Sequence, residues 1–100
     1  KKEAPKEVQE LFSHLDDLAP RKAVFVMMDG TVTDPVGPKD LASAANEADG
    51  AIAIIYNGSI SDKTLDIASE AAIETVVGTK EGKGYGKRDD VQSWLVEVHR

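Results

Sequence analysis

There is no cysteine in these 100 residues, which excludes a disulfide framework, a cysteine-ligated zinc knuckle and thiol chemistry. Nothing in the chain therefore asks for an oxidising compartment, and a cytoplasmic location is expected. Long hydrophobic runs are missing too. The longest, Ala23 to Met28 and Ala51 to Tyr56, are far short of the roughly 20 apolar residues that span a bilayer, so no membrane partner is expected. A surplus of basic charge is absent: 12 Lys and Arg stand against 18 Asp and Glu, a formal charge of -6. Nucleic acid held over the whole surface is thereby disfavoured, because phosphate binding is dominated by cations, and only a local basic patch is left. The chain opens Lys1-Lys2-Glu3 without methionine, signal region or cleavage site, which reads as a piece of a longer protein.

What is present describes one small globular domain, 41% apolar and 30% charged. A chain of this size buries roughly 60 to 70% of the surface its unfolded form exposes, enough for a single core. Val8, Leu11, Phe12, Leu15 and Leu18 fall on one stripe of a helix over about residues 5–18, with Pro5 at its first position and Pro20 beyond its end. Ala23 to Met28 is a buried strand running into Asp29-Gly30. With Thr31-Val32-Thr33 after it, the pattern predicts a hairpin over about 22–34 with a two-residue Asp-Gly loop. Pro35 limits the returning strand.

Gly37-Pro38 opens a second helix over about 38–48. Its stripe, Leu41, Ala44, Ala45 and Ala48, is small enough for close packing on a sheet. Residues 51–56 are apolar on both faces, as in a central parallel strand. Ser59-Ile60-Ser61-Asp62 fits a capping box with Ser59 as cap, predicting a third helix over about 60–72. Thr75-Val76-Val77 marks a strand over 74–78, and Trp94, Val96 and Val98 alternate as in an edge strand over about 93–99, although Val91, Leu95 and Val98 also suit a helical turn. The expected fold is a three-layer α/β domain: N-terminal helix, hairpin, then β-α-β-α-β on a mainly parallel mixed sheet.

Two sets of residues carry candidate chemistry. Asp29, Asn57-Gly58 and Gly78 each follow a strand, and ligands of open α/β sheets bind at the carboxyl edge. All of them are also good turn formers. Residues 78–90 hold four of the eight glycines and are expected to form a mobile loop. There Lys80, Lys83, Lys87 and Arg88 surround Tyr85, a pattern suited to a partner or RNA, though equally to a solvated connection.

Catalytic patterns are broken. Met28-Asp29-Gly30-Thr31 after an apolar strand resembles the first signature of haloacid-dehalogenase-type phosphatases, but Met27 stands at the nucleophile's position and forms no acyl-phosphate. No Asp-x-Asp or Glu-x-Glu exists to hold Mg²⁺. His14 and His99 have no triad or zinc partner at a suitable spacing, and Ser59 lacks the glycines of a nucleophile elbow.

The run Ala48-Asp49-Gly50 through Tyr56-Asn57-Gly58 to Leu65-Asp66-Ile67-Ala68, with Thr75-Val76-Val77-Gly78-Thr79-Lys80 after it, resembles the C-terminal domain of archaeal DnaG-type primases, with Asn57 where that family tends to show Asp. The resemblance implies a parent that makes RNA primers by nucleotidyl transfer at an acidic, Mg²⁺-binding Toprim site and associates with the RNA-degrading exosome. The acidic site does not map onto this chain, so no catalytic residue and no cofactor is carried over. The implied role is a monomeric, non-catalytic domain that docks on the exosome cap. The alternative is a small α/β module binding RNA or a phosphorylated ligand.

Overall fold

The apolar stripe of the first helix has a sheet to cover. The computed structural model describes residues 4–100, in which α1 (Lys6–Ser13) tightens into a 3-10 turn over His14–Asp17. Val8, Phe12, Leu15 and Leu18 are buried. Pro5 precedes the helix instead of opening it: its backbone is extended (ψ 161°), and its carbonyl accepts the N–H groups of Val8 and Gln9. Leu18 is extended as well, so the helical path ends one residue short of its predicted limit.

β1 (Ala23–Met27) ends in a loop of three residues, where two were expected. Gly30 N–H donates to Met27 O at 2.9 Å and Met27 N–H to Thr31 O at 2.8 Å. The expected two-residue turn needs positive φ at both Asp29 and Gly30, and only Gly30, at +90°, has it. Asp29 instead accepts the N–H and hydroxyl of Thr31, so its side chain closes the turn. The chain then returns along the outside of β1, touching it at Val26↔Val32 and Ala23↔Val36 without forming a continuous strand. Pro35 supplies no donor, and at Phe25 the N–H bonds to Thr33 Oγ1 in place of a main-chain oxygen.

This return reverses the direction in which the chain enters its second helix. After a 3-10 turn at Pro38–Asp40, α2 (Leu41–Glu47) leads into β2 (Ala51–Tyr56), which pairs antiparallel with β1 in the register Ala23↔Tyr56 to Met27↔Ala51. The strand that enters α2 is the returning segment, which runs opposite to β1 and so in the direction of β2. Beyond β2 the sheet is parallel: β4 (Thr75–Gly78) pairs with β2, β6 (Gln92–Leu95) pairs with β4, and the order is β1-β2-β4-β6.

Ser59 does not cap the third helix. Ser59–Ile60 is a short strand, β3, paired in parallel with β5 (Lys80–Glu81), and α3 runs Asp62–Glu70 with Ser61 before it. The capping pattern is overridden because Ile60, fully buried, packs against the end of the sheet. At the other end of α3, Ile73 N–H reaches Ala68 O and Ala72 N–H reaches Ser69 O, a Schellman closure with Ala72 at φ +57°. The final strand is also shorter than predicted. β6 stops at Leu95 and α4 (Val96–His99) begins there, because Glu97 N–H turns to Thr79 O and His99 Nδ1 accepts the N–H of Leu95.

Three layers result. Val24, Val26, Ala53, Ile55 and Val77 pack with α1, while Phe25, Ile54 and Val76 pack with α2 and α3 on the opposite face. Ile54, Ile55, Val76 and Val77 have no exposed surface at all. Each such side chain is worth about 1.5–3 kcal/mol relative to leaving it in water. A short apolar run with no polar alternation is what a strand covered on both faces requires.

Ala72 carries a left-handed backbone that costs an L-residue roughly 1–2 kcal/mol, partly offset in glycine by a looser unfolded chain. Ala72→Gly is therefore expected to stabilise the fold by about 0.5–1 kcal/mol, read as an upward shift of the thermal unfolding midpoint. An unchanged or lower midpoint would contradict the Schellman closure at Ala72.

Candidate functional site

The four turn residues do not assemble into one site. Because β1 and β2 are antiparallel, Asp29 emerges beside Asp49 and Gly50, at the end of the sheet where β2 begins. Asn57, Gly58 and Gly78 lie at the other end, where β2 and β4 finish.

Those three are occupied with holding the fold. Asn57 Nδ2 donates to Leu18 O at 2.6 Å, its N–H donates to Lys22 O, and its carbonyl accepts Arg21 N–H, so it ties the end of the first helical segment to β2. A Cβ on Gly58 would lie 2.7 Å from Tyr56 Cε2, and its carbonyl accepts Thr79 N–H at 3.0 Å. On Gly78 a Cβ would overlap the side chain of Ile60. Glycine is needed there so that Ile60 can lie against the backbone, with no ligand involved.

The basic segment is tied down at several points, where a free mobile loop was expected. Gly82 N–H donates to Ile60 O at 2.8 Å, and Lys83 O accepts Asp62 N–H, one of the first donors of α3. The hydroxyls of Tyr85 and Ser93 share a hydrogen bond. Arg88 bridges Asp62 and Asp66, with Nη1 2.6 Å from Asp66 Oδ1. Its guanidinium is held even more firmly protonated than usual, first by Asp66 and then by Asp62. Lys80, in β5, and Lys83 are exposed and do not line the cleft that Lys87 and Arg88 border.

Tyr85, Lys87 and Arg88 do come together. With Val91, Gln92, Ser93, Trp94 and His99 they line a surface cleft of about 340 Å³ beside β6. The rings of Trp94 and His99 meet edge to face, 5.0 Å between centroids. Trp94 Nε1 is buried and finds no acceptor among the described residues. His99 is fixed through its main chain too, since its carbonyl accepts Ala4 N–H and Gln9 Nε2. Sequence reasoning anticipated an edge strand here but did not single out Gln92, Ser93, Trp94 and His99 as site residues, because it did not show that Tyr85, Lys87 and Arg88 lie beside that strand.

The donor set does not fit a Mg²⁺ centre. Among the described residues no three His, Asp or Glu side chains converge on a common point, as metal-assisted phosphoryl or nucleotidyl transfer would need. None of these residues forms a helix long and apolar enough to cross a membrane.

Fold and cleft together define a small three-layer α/β module in which, among the described residues, the β6 edge of the main sheet has no strand beside it. Comparison with known proteins shows what it is similar to. It is 31% identical over 83 residues to a DNA primase DnaG of Methanocella arvoryzae, a match covering 82% of this chain and 17% of that protein. To the DNA primases DnaG of Pyrococcus abyssi and Pyrococcus horikoshii it is 40% and 38% identical over 45 residues, covering 45% of this chain and 10% of each relative. The chain is thus DnaG-related, and it spans between 10 and 17% of the length of these curated relatives. No protein-family model and no solved structure matches it.

This geometry has two testable outcomes. Gly78→Ala is expected to cost about 1–3 kcal/mol in chemical denaturation, and the loss should be smaller in an Ile60→Ala background, where the clashing side chain is gone. Equal losses in both backgrounds would refute the role given to Ile60. At the opposite end, the Thr31 hydroxyl and then the Thr31 N–H hold the Asp29 carboxyl below its ordinary range. Its contribution to stability is therefore complete above the unfolded carboxylate pKa and is lost as pH falls through the lower folded value. An NMR titration should place the Asp29 midpoint below the ordinary value of 3.8 and move it upward in Thr31→Val.

Proposed function

We propose that this chain is a non-catalytic interaction domain of a DnaG-type primase, docking its parent on the cap of the RNA-degrading exosome. The observation that carries the interaction role is the cleft along β6: it is a concave surface at a sheet edge with no strand beside it among the described residues, while the carboxyl-edge turns are taken up by the scaffold. The relatives' name supports the assignment to a primase. On this reading primer synthesis, its Mg²⁺ and the Toprim site belong to the parent, in the cytoplasm, and the isolated domain is a monomer.

RNA at the cleft is the second reading, favoured by Tyr85, Trp94 and His99 standing beside Lys87. It demands a salt-sensitive affinity that Lys83→Glu with Lys87→Glu removes.

Isothermal titration of the chain into a purified archaeal exosome cap, without RNA and at moderate salt, tests the docking role. Saturable binding is the expected result. Absence of heat, matched by absence of co-sedimentation, would overturn it.

A further inference from the structure

β6 is the last strand in the order β1-β2-β4-β6, so among the described residues one of its sides has no strand beside it. Gln92 N–H donates to Glu74 O at 2.7 Å, across to the β4 side. Strand alternation then turns the main-chain groups of Gln92 and Trp94 inward and those of Ser93 and Leu95 outward. The outward N–H of Leu95 is taken by His99 Nδ1. Ser93 has no such cover among the described residues. Proteins blunt exposed edges with proline, bulges or inward charges. Val91-Gln92-Ser93-Trp94-Leu95 contains no proline or charged residue, and its register with β4 is unbroken.

The cleft runs along this edge and draws its walls from both faces of the sheet. Tyr85 and Val91 belong to the core on the α2 and α3 side, whereas Trp94 packs with the core on the α1 side. A slot walled in this way accepts an extended chain edge-on. The slot also carries one cation without a carboxylate partner among the described residues. Lys87 and Arg88 line it and no carboxylate does, in a chain whose formal charge is -6. Arg88 is already paired with Asp62 and Asp66, while Lys87 makes no ion pair among the described residues. The unpartnered indole N–H of Trp94 adds a donor that lacks an acceptor.

We infer that an extended acidic peptide segment adds to β6 as a further strand, pairing with the main chain of Ser93 and placing a carboxylate at Lys87. Main-chain pairing supplies the affinity, and the walls and charge supply the selectivity. Single-stranded nucleic acid fits less well, because one unpaired lysine is little to set against a run of phosphates. The inference names the partner chemistry for the proposed docking and rests on that reading. Its test uses a synthetic probe, so it can fail while exosome binding holds, and the reverse.

The ¹⁵N-labelled chain is titrated with a short acetylated peptide of alternating Val and Glu, with the same peptide carrying Lys for Glu, and with a short oligouridylate. Saturable, simultaneous shifts of the Ser93 amide and the Trp94 indole N–H are expected with the Glu peptide only. Lys87→Glu should weaken binding about tenfold, the scale of one charge-assisted contact. Ser93→Pro should abolish it, because proline removes an outward N–H that β4 does not use. Spectra of both variants establish that the sheet is intact. Wild-type affinity in two folded variants, equal binding of the Lys peptide, or no saturable shift at β6 would overturn the inference. So would tighter binding of oligouridylate at the same residues, or shifts of Ser93 with protein concentration alone, which mark a second copy as the occupant.

Discussion

The seat of Ile60 against the backbone of Gly78 organises one whole end of the molecule. Ile60 is fully buried although it belongs to a strand of only two residues, β3. It fits because its neighbours carry no side chains: Cβ atoms on Gly78 or Gly82 would press on its side chain or its carbonyl. From that contact comes the pairing of β3 with β5, and with it the bond from Gly82 N–H to Ile60 O and the start of α3 at Asp62. The basic segment is then laid against α3, where Arg88 meets Asp62 and Asp66. Ion pairs this exposed are worth little in stability, typically below about 1 kcal/mol. Their effect is to fix where Lys87 and Tyr85 stand relative to β6.

A second constraint acts at the other end. The return of the chain along the outside of β1 fills that edge of the sheet and reverses the direction in which α2 is entered. One consequence is chemical: Asp29 is carried away from the ends of β2 and β4, and no ligand site can be built from all three turns. Another is that the two edges differ. The β1 edge is covered by a segment that includes Pro35, whereas among the described residues the outward main-chain groups of β6 are met by His99 at Leu95 and not at Ser93. Asymmetric protection of this kind directs strand pairing to one side.

The relation to DnaG gives this asymmetry its setting. A segment matching at most 17% of its relatives' length is small beside an enzyme, and its residues here are spent on caps, close approaches and core. The cleft's walls come from neighbouring stretches of the chain, Tyr85 to Arg88 on one side and Trp94 to His99 on the other, linked by the Tyr85–Ser93 hydrogen bond, with His99 held by the bond from Ala4. The contacts of Ala4 and Gln9 with His99 make the cleft part of the folded core's geometry.

The layering was legible from residues alone. Unbroken apolar stretches such as 51–56 identify strands covered on both faces, and the stripe from Val8 to Leu18 identifies a helix with one buried side. The basic residues of 80–88 were legible as a patch, but their partners were not, because Asp62 and Asp66 approach Arg88 only when α3 is docked. Local patterns also misled in specific places. Ser59 has the spacing of a cap, yet burial of Ile60 outweighs a cap worth about 1 kcal/mol. Asp29-Gly30 suggests a two-residue loop, yet the side chain of Asp29 makes a three-residue one. Composition and periodicity thus determined the class of fold, the absence of thiol chemistry and the elements themselves. Strand direction, the scaffold role of Asn57 and Gly78, and the cleft beside β6 were decided by tertiary structure, because each depends on which segments become neighbours and no local pattern encodes that.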